Sequence, residues 1–250
     1  MKTKWILVTA LSLVLSGCMT TLDQPKRAAD PNAARESFIQ LGIGYLQSGD
    51  TAGAKGPLSE ALKIDPRSAS AHTAMALVFQ QEGEYSSAEK HFRSALSSEP
   101  SNPRVLNNFG AFLLAQERYP EALTMFRRAS EDTLYSERSR VFENLGMTYQ
   151  RMNQPEQAKA AFERALRLNA RQPTAMIELA RIEFAAQNYV PAWDYYRRFA
   201  QVSTQDASTL WLGVQLARRF EDHNSAASYA LQLRRLYPAS PEAKALSASE

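Results

Sequence analysis

Residues 142–165 read FENLGMTYQRMNQPEQAKAAFERA, and this stretch decides the fold. Small residues stand at Gly146, Ala158 and Ala165, and large ones stand between them at Tyr149 and Phe162. The pattern recurs along the chain, because an alanine returns every 34 or 36 residues at the position of Ala158. These alanines are Ala54, Ala88, Ala122, Ala158, Ala192 and Ala226. A period of this length predicts helical units that stack, since no single unit can bury its apolar stripe alone.

A large residue follows most of these alanines by four positions, where it can fill the layer between units. The residues at this position are Leu58, Phe92, Phe126, Phe162, Tyr196 and Ala230. The whole pattern resembles the tetratricopeptide repeat (TPR) family. The first copy carries it as Phe38, Leu41, Gly42, Tyr45, Ala54, Leu58, Ala61 and Pro66.

The resemblance implies an all-α fold, a right-handed TPR superhelix of six helix–turn–helix repeats. The third unit is two residues longer around residues 131–136, which predicts a looser turn there. Residues 241–250 follow the last unit as a tail that extends its helix or frays. The predicted units are residues 35–68, 69–102, 103–138, 139–172, 173–206 and 207–240.

Composition is that of a globular protein, with 44% hydrophobic and 22% charged residues. There are 29 Lys and Arg residues against 26 Asp and Glu. Two of the cations, Lys2 and Lys4, lie in the signal peptide described below. Without them the chain has a net charge near zero, so a nucleic-acid partner is not expected. The single cysteine excludes an internal disulfide and any cysteine-based zinc site within one chain.

The first 17 residues have the layout of a secretory signal peptide. Lys2 and Lys4 precede an apolar run at residues 5–15, and Ser16 and Gly17 follow it. The run is shorter than the roughly 20 residues that a membrane-spanning helix needs. The alternative is a buried helix of the mature fold, which leaves the early charges and the small residues unexplained.

Residues 15–18, Leu-Ser-Gly-Cys, resemble the lipobox of bacterial lipoproteins. The resemblance implies cleavage before Cys18 and acylation of Cys18. Met19, rather than Asp, implies delivery to the outer membrane with the body in the periplasm. The alternative is a free buried cysteine. Residues 18–34 contain Pro25 and Pro31 and lack an apolar period, so they are expected to form a flexible acylated tether.

No residues form a recognisable catalytic, metal or cofactor motif. His72, His91 and His223 lack the spacing of a zinc protease, and no glycine-rich phosphate loop occurs. Neither a metal nor a cofactor is therefore expected, and an enzymatic function is the most distant possibility.

A solenoid offers its concave wall to partners instead. In the first two units we expect this wall to carry an apolar patch formed by Ile39, Ile43, Leu46 and Leu77. Such a patch can bind an amphipathic helix or an extended apolar peptide. The alternative is that the tether or another repeat covers the patch. The predicted partner-binding groove is Ile39, Ile43, Leu46, Thr73, Leu77 and Gln80.

A second candidate surface lies near the other end, at Trp211, Arg218 and Arg219, although the two arginines are equally consistent with plain solvated charge. Some TPR domains bind a carboxylate terminus through a Lys/Asn clamp. Here Ile39 and Ile43 occupy the matching positions, so a chaperone-tail receptor is not expected.

The complete arrangement of lipobox, tether and six repeats resembles the type IV pilus biogenesis TPR lipoproteins of pseudomonads. This resemblance implies a pilotin, which binds the secretin subunit of the pilus and promotes its outer-membrane localisation and multimer assembly. One alternative is a scaffold for peptidoglycan hydrolases. Another is a component of general outer-membrane protein assembly.

Overall fold

The computed structural model describes residues 30–249, which form thirteen α-helices and no strand. The all-α prediction is therefore confirmed. The helices are α1 (Pro31–Gln47), α2 (Thr51–Ile64), α3 (Ala69–Gln81), α4 (Tyr85–Ser98), α5 (Pro103–Ala115), α6 (Tyr119–Glu131), α7 (Arg138–Arg151), α8 (Pro155–Leu168), α9 (Pro173–Ala185), α10 (Tyr189–Val202), α11 (Ala207–Arg219), α12 (His223–Leu236) and α13 (Pro241–Ala248).

The first twelve helices form six antiparallel pairs that stack into a solenoid. Each odd-numbered helix packs most extensively on the even-numbered helix that follows it, and each pair then packs on the next. Because short turns join antiparallel neighbours, the even-numbered helices all end at one edge of the solenoid. The odd-numbered helices end at the opposite edge.

Every turn within a pair uses the same backbone device. One residue in each turn adopts a left-handed conformation, with φ between +56° and +83°. Glycine supplies it in the first two turns, whereas the other four use residues with side chains, which pay a small steric cost there. These residues are Gly49, Gly83, Glu117, Asn153, Gln187 and Glu221.

The core follows the small and large pattern of the repeat. Phe92, Phe126, Phe162 and Tyr196 are fully buried, as are the repeated alanines of the first five pairs. Small residues allow these rings to approach the facing helix, since a Cβ added at Gly146 would lie 2.6 Å from Phe162 Cε1.

Both ends of the solenoid differ from the sequence prediction. Helix α1 begins at Pro31, so the assignment of residues 31–34 to a tether is wrong. Asp30 caps the helix by accepting a hydrogen bond from the Asn32 amide at 2.9 Å, and Pro31 suits the first helical turn because its missing N–H needs no partner there.

The predicted tail forms a separate helix, α13, rather than an extension of α12 or a frayed end. Ser240 caps it, and Ala243 and Leu246 are buried against Leu210, Val214 and Leu233. Helix α13 therefore covers the apolar face that the last pair would otherwise expose.

The two extra residues of the third unit lie in the connection between α6 and α7, which spans residues 132–137. This connection displays Leu134 with 93% of its surface exposed. Within residues 30–249, no helix is both long and apolar enough to cross a membrane. The predicted signal peptide (residues 1–17) and the acylation site Cys18 lie outside the described residues.

Candidate protein-binding surfaces

The outer face of α1 is an uncovered copy of an interface that is buried elsewhere in the solenoid. Leu41 is 49% exposed and Tyr45 is 38% exposed. At the equivalent position of the fourth pair, three repeats later, Leu145 is only 4% exposed, because α6 packs on it. No described helix precedes α1, so Leu41 and Tyr45 lack the partner that an even-numbered helix supplies in later pairs.

The repeat pattern predicts that Tyr45, as one of its large residues, fills the layer between units, and this prediction is wrong, because Tyr45 is 38% exposed. The repeat pattern identified Leu41 and Tyr45 correctly as interface residues, but the interface needs a preceding unit. The exposure of Leu41 and Tyr45 could have been predicted from their position in the first repeat. A terminal unit keeps one stacking face open unless another element covers it.

The predicted groove on the inner wall is partly closed. Ile39 is 1% exposed and packs against Ala61 and Ala71. Thr73 is 5% exposed, and its hydroxyl donates to the Ala69 carbonyl at 2.8 Å. The prediction that Ile39 and Thr73 line an open groove is therefore wrong. Ile39 lies where α1, α2 and α3 pack together, and Thr73 is buried on α3.

The remaining groove residues stay at the surface. Ile43 and Leu46 are half-buried beside the cluster that contains Met75 and Val78, and Leu77 is half-buried on the next odd-numbered helix. Gln80 is also half-buried, and its Oε1 atom has no hydrogen-bond partner within residues 30–249. This part of the wall is thus apolar, and the Gln80 Oε1 atom is buried beside it without a partner in that range.

Further along, the inner wall changes from apolar to polar. Asn144 Nδ2 donates to Asn107 Oδ1 at 3.0 Å, joining α7 to α5. Gln150 Nε2 donates to Glu178 Oε2 at 2.9 Å, joining α7 to α9. Arg181 continues the series by donating to Ser208 Oγ of α11 at 2.9 Å. These bonds join neighbouring odd-numbered helices, so the side chains that make them are engaged with one another.

The second predicted surface is divided between two neighbourhoods. Trp211 packs with the cluster that α13 covers, and Arg218 Nη1 donates to Ser249 Oγ at 2.8 Å. Arg219 instead stacks over the Tyr189 ring, 4.4 Å from its centroid. The structure therefore brings Trp211 and Arg218 together near the C-terminal cap but places Arg219 against α10.

Two imidazoles, those of His72 and His91, lie in direct contact between α3 and α4. His72 Nδ1 lies 2.9 Å from His91 Nδ1, and His72 Nε2 lies 3.1 Å from the Pro66 carbonyl oxygen. A carbonyl only accepts, so when both rings are neutral His72 carries its proton on Nε2 and accepts from His91 Nδ1–H. Within residues 30–249 no group of three or more His, Cys, Asp or Glu side chains could hold a metal ion.

Comparisons with known proteins agree with this architecture. Tetratricopeptide repeat families match residues 69–102, 102–171 and 144–207. The type IV pilus assembly protein PilF of Pseudomonas aeruginosa is 52% identical over 238 residues, which cover 94% of each chain.

Solved structures show the same likeness. A structure from a functional characterisation of Pseudomonas aeruginosa pilF is 52% identical and matches with a TM-score of 0.86, covering 88% of this chain and 99% of that one. The crystal structure of PilW, a widely conserved type IV pilus biogenesis factor, is 28% identical with a TM-score of 0.74, covering 85% and 97%.

Proposed function

This chain belongs to the PilF family of type IV pilus biogenesis TPR proteins, and we propose that it acts as a pilotin for the secretin of that pilus. In this proposal the chain is anchored to the outer membrane through acyl chains on Cys18. Its solenoid lies in the periplasm and binds one segment of a secretin subunit. Binding promotes the localisation of the secretin and its assembly into a multimer.

The open face of α1 is the observation that carries the proposal. Leu41 and Tyr45 are exposed on it, and Ile43 and Leu46 continue the apolar surface around the helix onto the inner wall. An exposed apolar patch of this kind on a soluble body marks a partner site. It fits an amphipathic helix, because an even-numbered helix covers the same positions in later pairs.

Anchoring and binding together explain how the chain carries the secretin to the outer membrane. Two or more acyl chains hold a protein stably on a membrane, whereas one chain holds it only marginally. The apolar segment of the secretin is shielded from water while it is bound to α1. Once the anchor reaches the outer membrane, the bound secretin subunit is concentrated there. Subunits that are confined to the same membrane meet more often, which favours assembly of the multimer.

The proposal requires no chemistry on a substrate. The TPR family is a repeat scaffold that presents surfaces to protein partners. We accordingly assign no catalytic residue and no cofactor to the chain. Binding and localisation account for the proposed role without either.

The test is affinity purification of the chain from its native outer membrane, with mass spectrometry of the bound proteins. The Leu41→Asp variant places a charge on the open face of α1, and it should lower secretin recovery at least tenfold. Leu231→Asp is the matched control, since Leu231 is 55% exposed on α12 at the other end of the solenoid. It should recover secretin as the unmodified chain does.

Circular dichroism of both variants checks that the helices are retained. Recovery of peptidoglycan hydrolases without secretin would overturn the proposal in favour of a cell-wall scaffold. Recovery of the general outer-membrane protein assembly machinery would overturn it in favour of that role.

A further inference from the structure

One edge of the solenoid carries an exposed apolar residue at the end of each of three successive even-numbered helices. Leu168 ends α8, Val202 ends α10 and Leu236 ends α12. Their exposed fractions are 42%, 45% and 63%. They recur at intervals of 34 residues, so the repeat itself places them in a row along this edge.

Cations accompany this row, which we call the C-terminal edge (Leu168, Val202 and Leu236 with the charged residues around them). Arg167 and Arg235 each precede an apolar member directly, and Arg171 follows in the turn after α8. All three are exposed. Arg234 and Lys244 line a cleft of about 500 Å³ between the end of α12 and α13.

The acidic groups near this edge are fewer and are engaged. Glu163 lies 3.9 Å from Arg167. Asp206 accepts hydrogen bonds from the Thr209 amide and hydroxyl as the cap of α11. Glu242 lies in the first turn of α13, where it complements the helix dipole. Five cations against these three carboxylates make the local balance at the C-terminal edge positive.

This local balance is part of an asymmetry along the whole solenoid. Residues 138–249 contain fifteen Lys and Arg against ten Asp and Glu. Residues 30–137 contain ten Lys and Arg against fourteen Asp and Glu. A nearly neutral chain thus has an acidic first half and a basic second half, which orients it in the field of a charged surface.

We propose that the C-terminal edge docks on an anionic phospholipid surface. Exposed apolar side chains flanked by arginines are the pattern that proteins use to lie at a membrane interface. The apolar residues stand singly on an outer edge, one in each repeat, and not around a groove. None of the three lines the cleft beside α13, and a row of single side chains fits a flat, deformable surface better than it fits a peptide or helix, which needs a groove.

The inference goes beyond the pilotin role, because it assigns a second membrane contact that does not involve the secretin. The solenoid then contacts the membrane at two places, through the N-terminal anchor and through the C-terminal edge. The arginines contact lipid phosphates, and Leu168, Val202 and Leu236 enter the headgroup layer.

The test uses the full chain purified in detergent and reconstituted on vesicles. Val202→Cys places a fluorophore on the C-terminal edge. Val190→Cys places the same fluorophore at the start of α10, on the opposite edge, where Val190 is 71% exposed. Quenching by a nitroxide-labelled lipid is compared in vesicles of phosphatidylcholine alone and of phosphatidylcholine mixed with phosphatidylglycerol.

The expected result is severalfold stronger quenching at position 202 than at position 190, in the anionic vesicles only. Each of Arg167→Gln and Arg235→Gln should lower the docked fraction about fivefold, which corresponds to one cation near an anionic surface. Arg151→Gln, at the exposed end of α7 on the opposite edge, should leave the docked fraction unchanged.

Equal quenching at the two positions, or equal quenching in both kinds of vesicle, would overturn the inference. Flotation with neutral vesicles reports the N-terminal anchor separately, so failure of the anchor is distinguishable from failure of the edge. A chain that floats with neither kind of vesicle contradicts both. The inference would also be overturned if the fluorophore at position 202 stayed unquenched on vesicles while an acidic protein partner bound the C-terminal edge.

Discussion

Lys159 Nζ of α8 lies 2.6 Å from Glu183 Oε1 of α9, in a layer that is otherwise apolar. The Glu183 side chain is only 4% exposed, and Asn188 Nδ2 donates to its other oxygen at 2.9 Å. Tyr149 holds the equivalent position one repeat earlier. The carboxylate is thus tolerated because the preceding unit supplies a cation and the following turn supplies an amide.

Removing the cation should be costly because the carboxylate stays buried. Lys159→Met is expected to lower the free energy of unfolding by about 3 kcal/mol, the effect of breaking a buried ion pair from one side. The double variant Lys159→Met with Glu183→Leu should recover most of this loss. Urea denaturation of the three proteins measures it, and a single variant within about 0.5 kcal/mol of the unmodified chain would contradict the account.

The same pair predicts a loss of stability in acid. Burial raises the pKa of Glu183, but the Lys159 ammonium and the Asn188 amide outweigh this effect and hold the pKa below its ordinary value of 4.5. A carboxyl with a depressed pKa stabilises the fold above its unfolded pKa, and this contribution is lost as the pH falls through the folded pKa. Denaturation from pH 6 to pH 3 should show this loss, and Glu183→Gln should reduce its slope.

Two glycines of the helices should respond oppositely to alanine. A Cβ at Gly146 would lie 2.6 Å from Phe162 Cε1, and the Phe162 ring is fully buried. Gly146→Ala is therefore expected to destabilise the fold by about 1 to 2 kcal/mol, since overpacking outweighs the better helix propensity. Gly44 has no atom within 4 Å of its would-be Cβ.

Gly44→Ala should accordingly stabilise the fold by up to about 1 kcal/mol. Thermal denaturation of the two variants side by side measures the difference. Destabilisation of similar size in both would mean that the close approach of α7 and α8 is not what requires glycine at Gly146.

The histidine pair predicts an unusual titration. Burial, together with the neighbouring His72 and Lys90, lowers the pKa of His91 to about 4. A neutral histidine with a lowered pKa stabilises the fold above the unfolded value of 6.5, and this contribution is lost as the pH falls from 6.5 toward 4. NMR of the imidazole protons should give a midpoint near pH 4 for His91, and a midpoint above 6 would contradict the burial of this ring.

The sequence predicts the interior of the solenoid well because each internal unit has the same neighbours. Ala88, Phe92, Ala122 and Phe126 are fully buried, as their repeat positions require. A position that recurs at a fixed period in a stack has the same surroundings each time. Periodicity therefore carries the information on packing.

The ends and the walls are less predictable for the same reason. Leu41 is exposed because no helix within residues 30–249 precedes α1, and the burial of Ile39 depends on how closely α1, α2 and α3 approach. Neither follows from spacing within one helix. The start of α1 did have a local signal, since Asp30 before Pro31 is a favourable cap and first-turn pair.

The pilotin role is tested most directly by following the secretin in cells that lack this chain. Membrane fractionation measures how much secretin multimer reaches the outer membrane when the unmodified chain, Cys18→Ser or Leu41→Asp is restored. The account predicts that the unmodified chain restores outer-membrane multimers, that Cys18→Ser leaves the secretin in the inner-membrane fraction, and that Leu41→Asp leaves it unassembled. A secretin that assembles normally in the outer membrane without this chain would contradict the account.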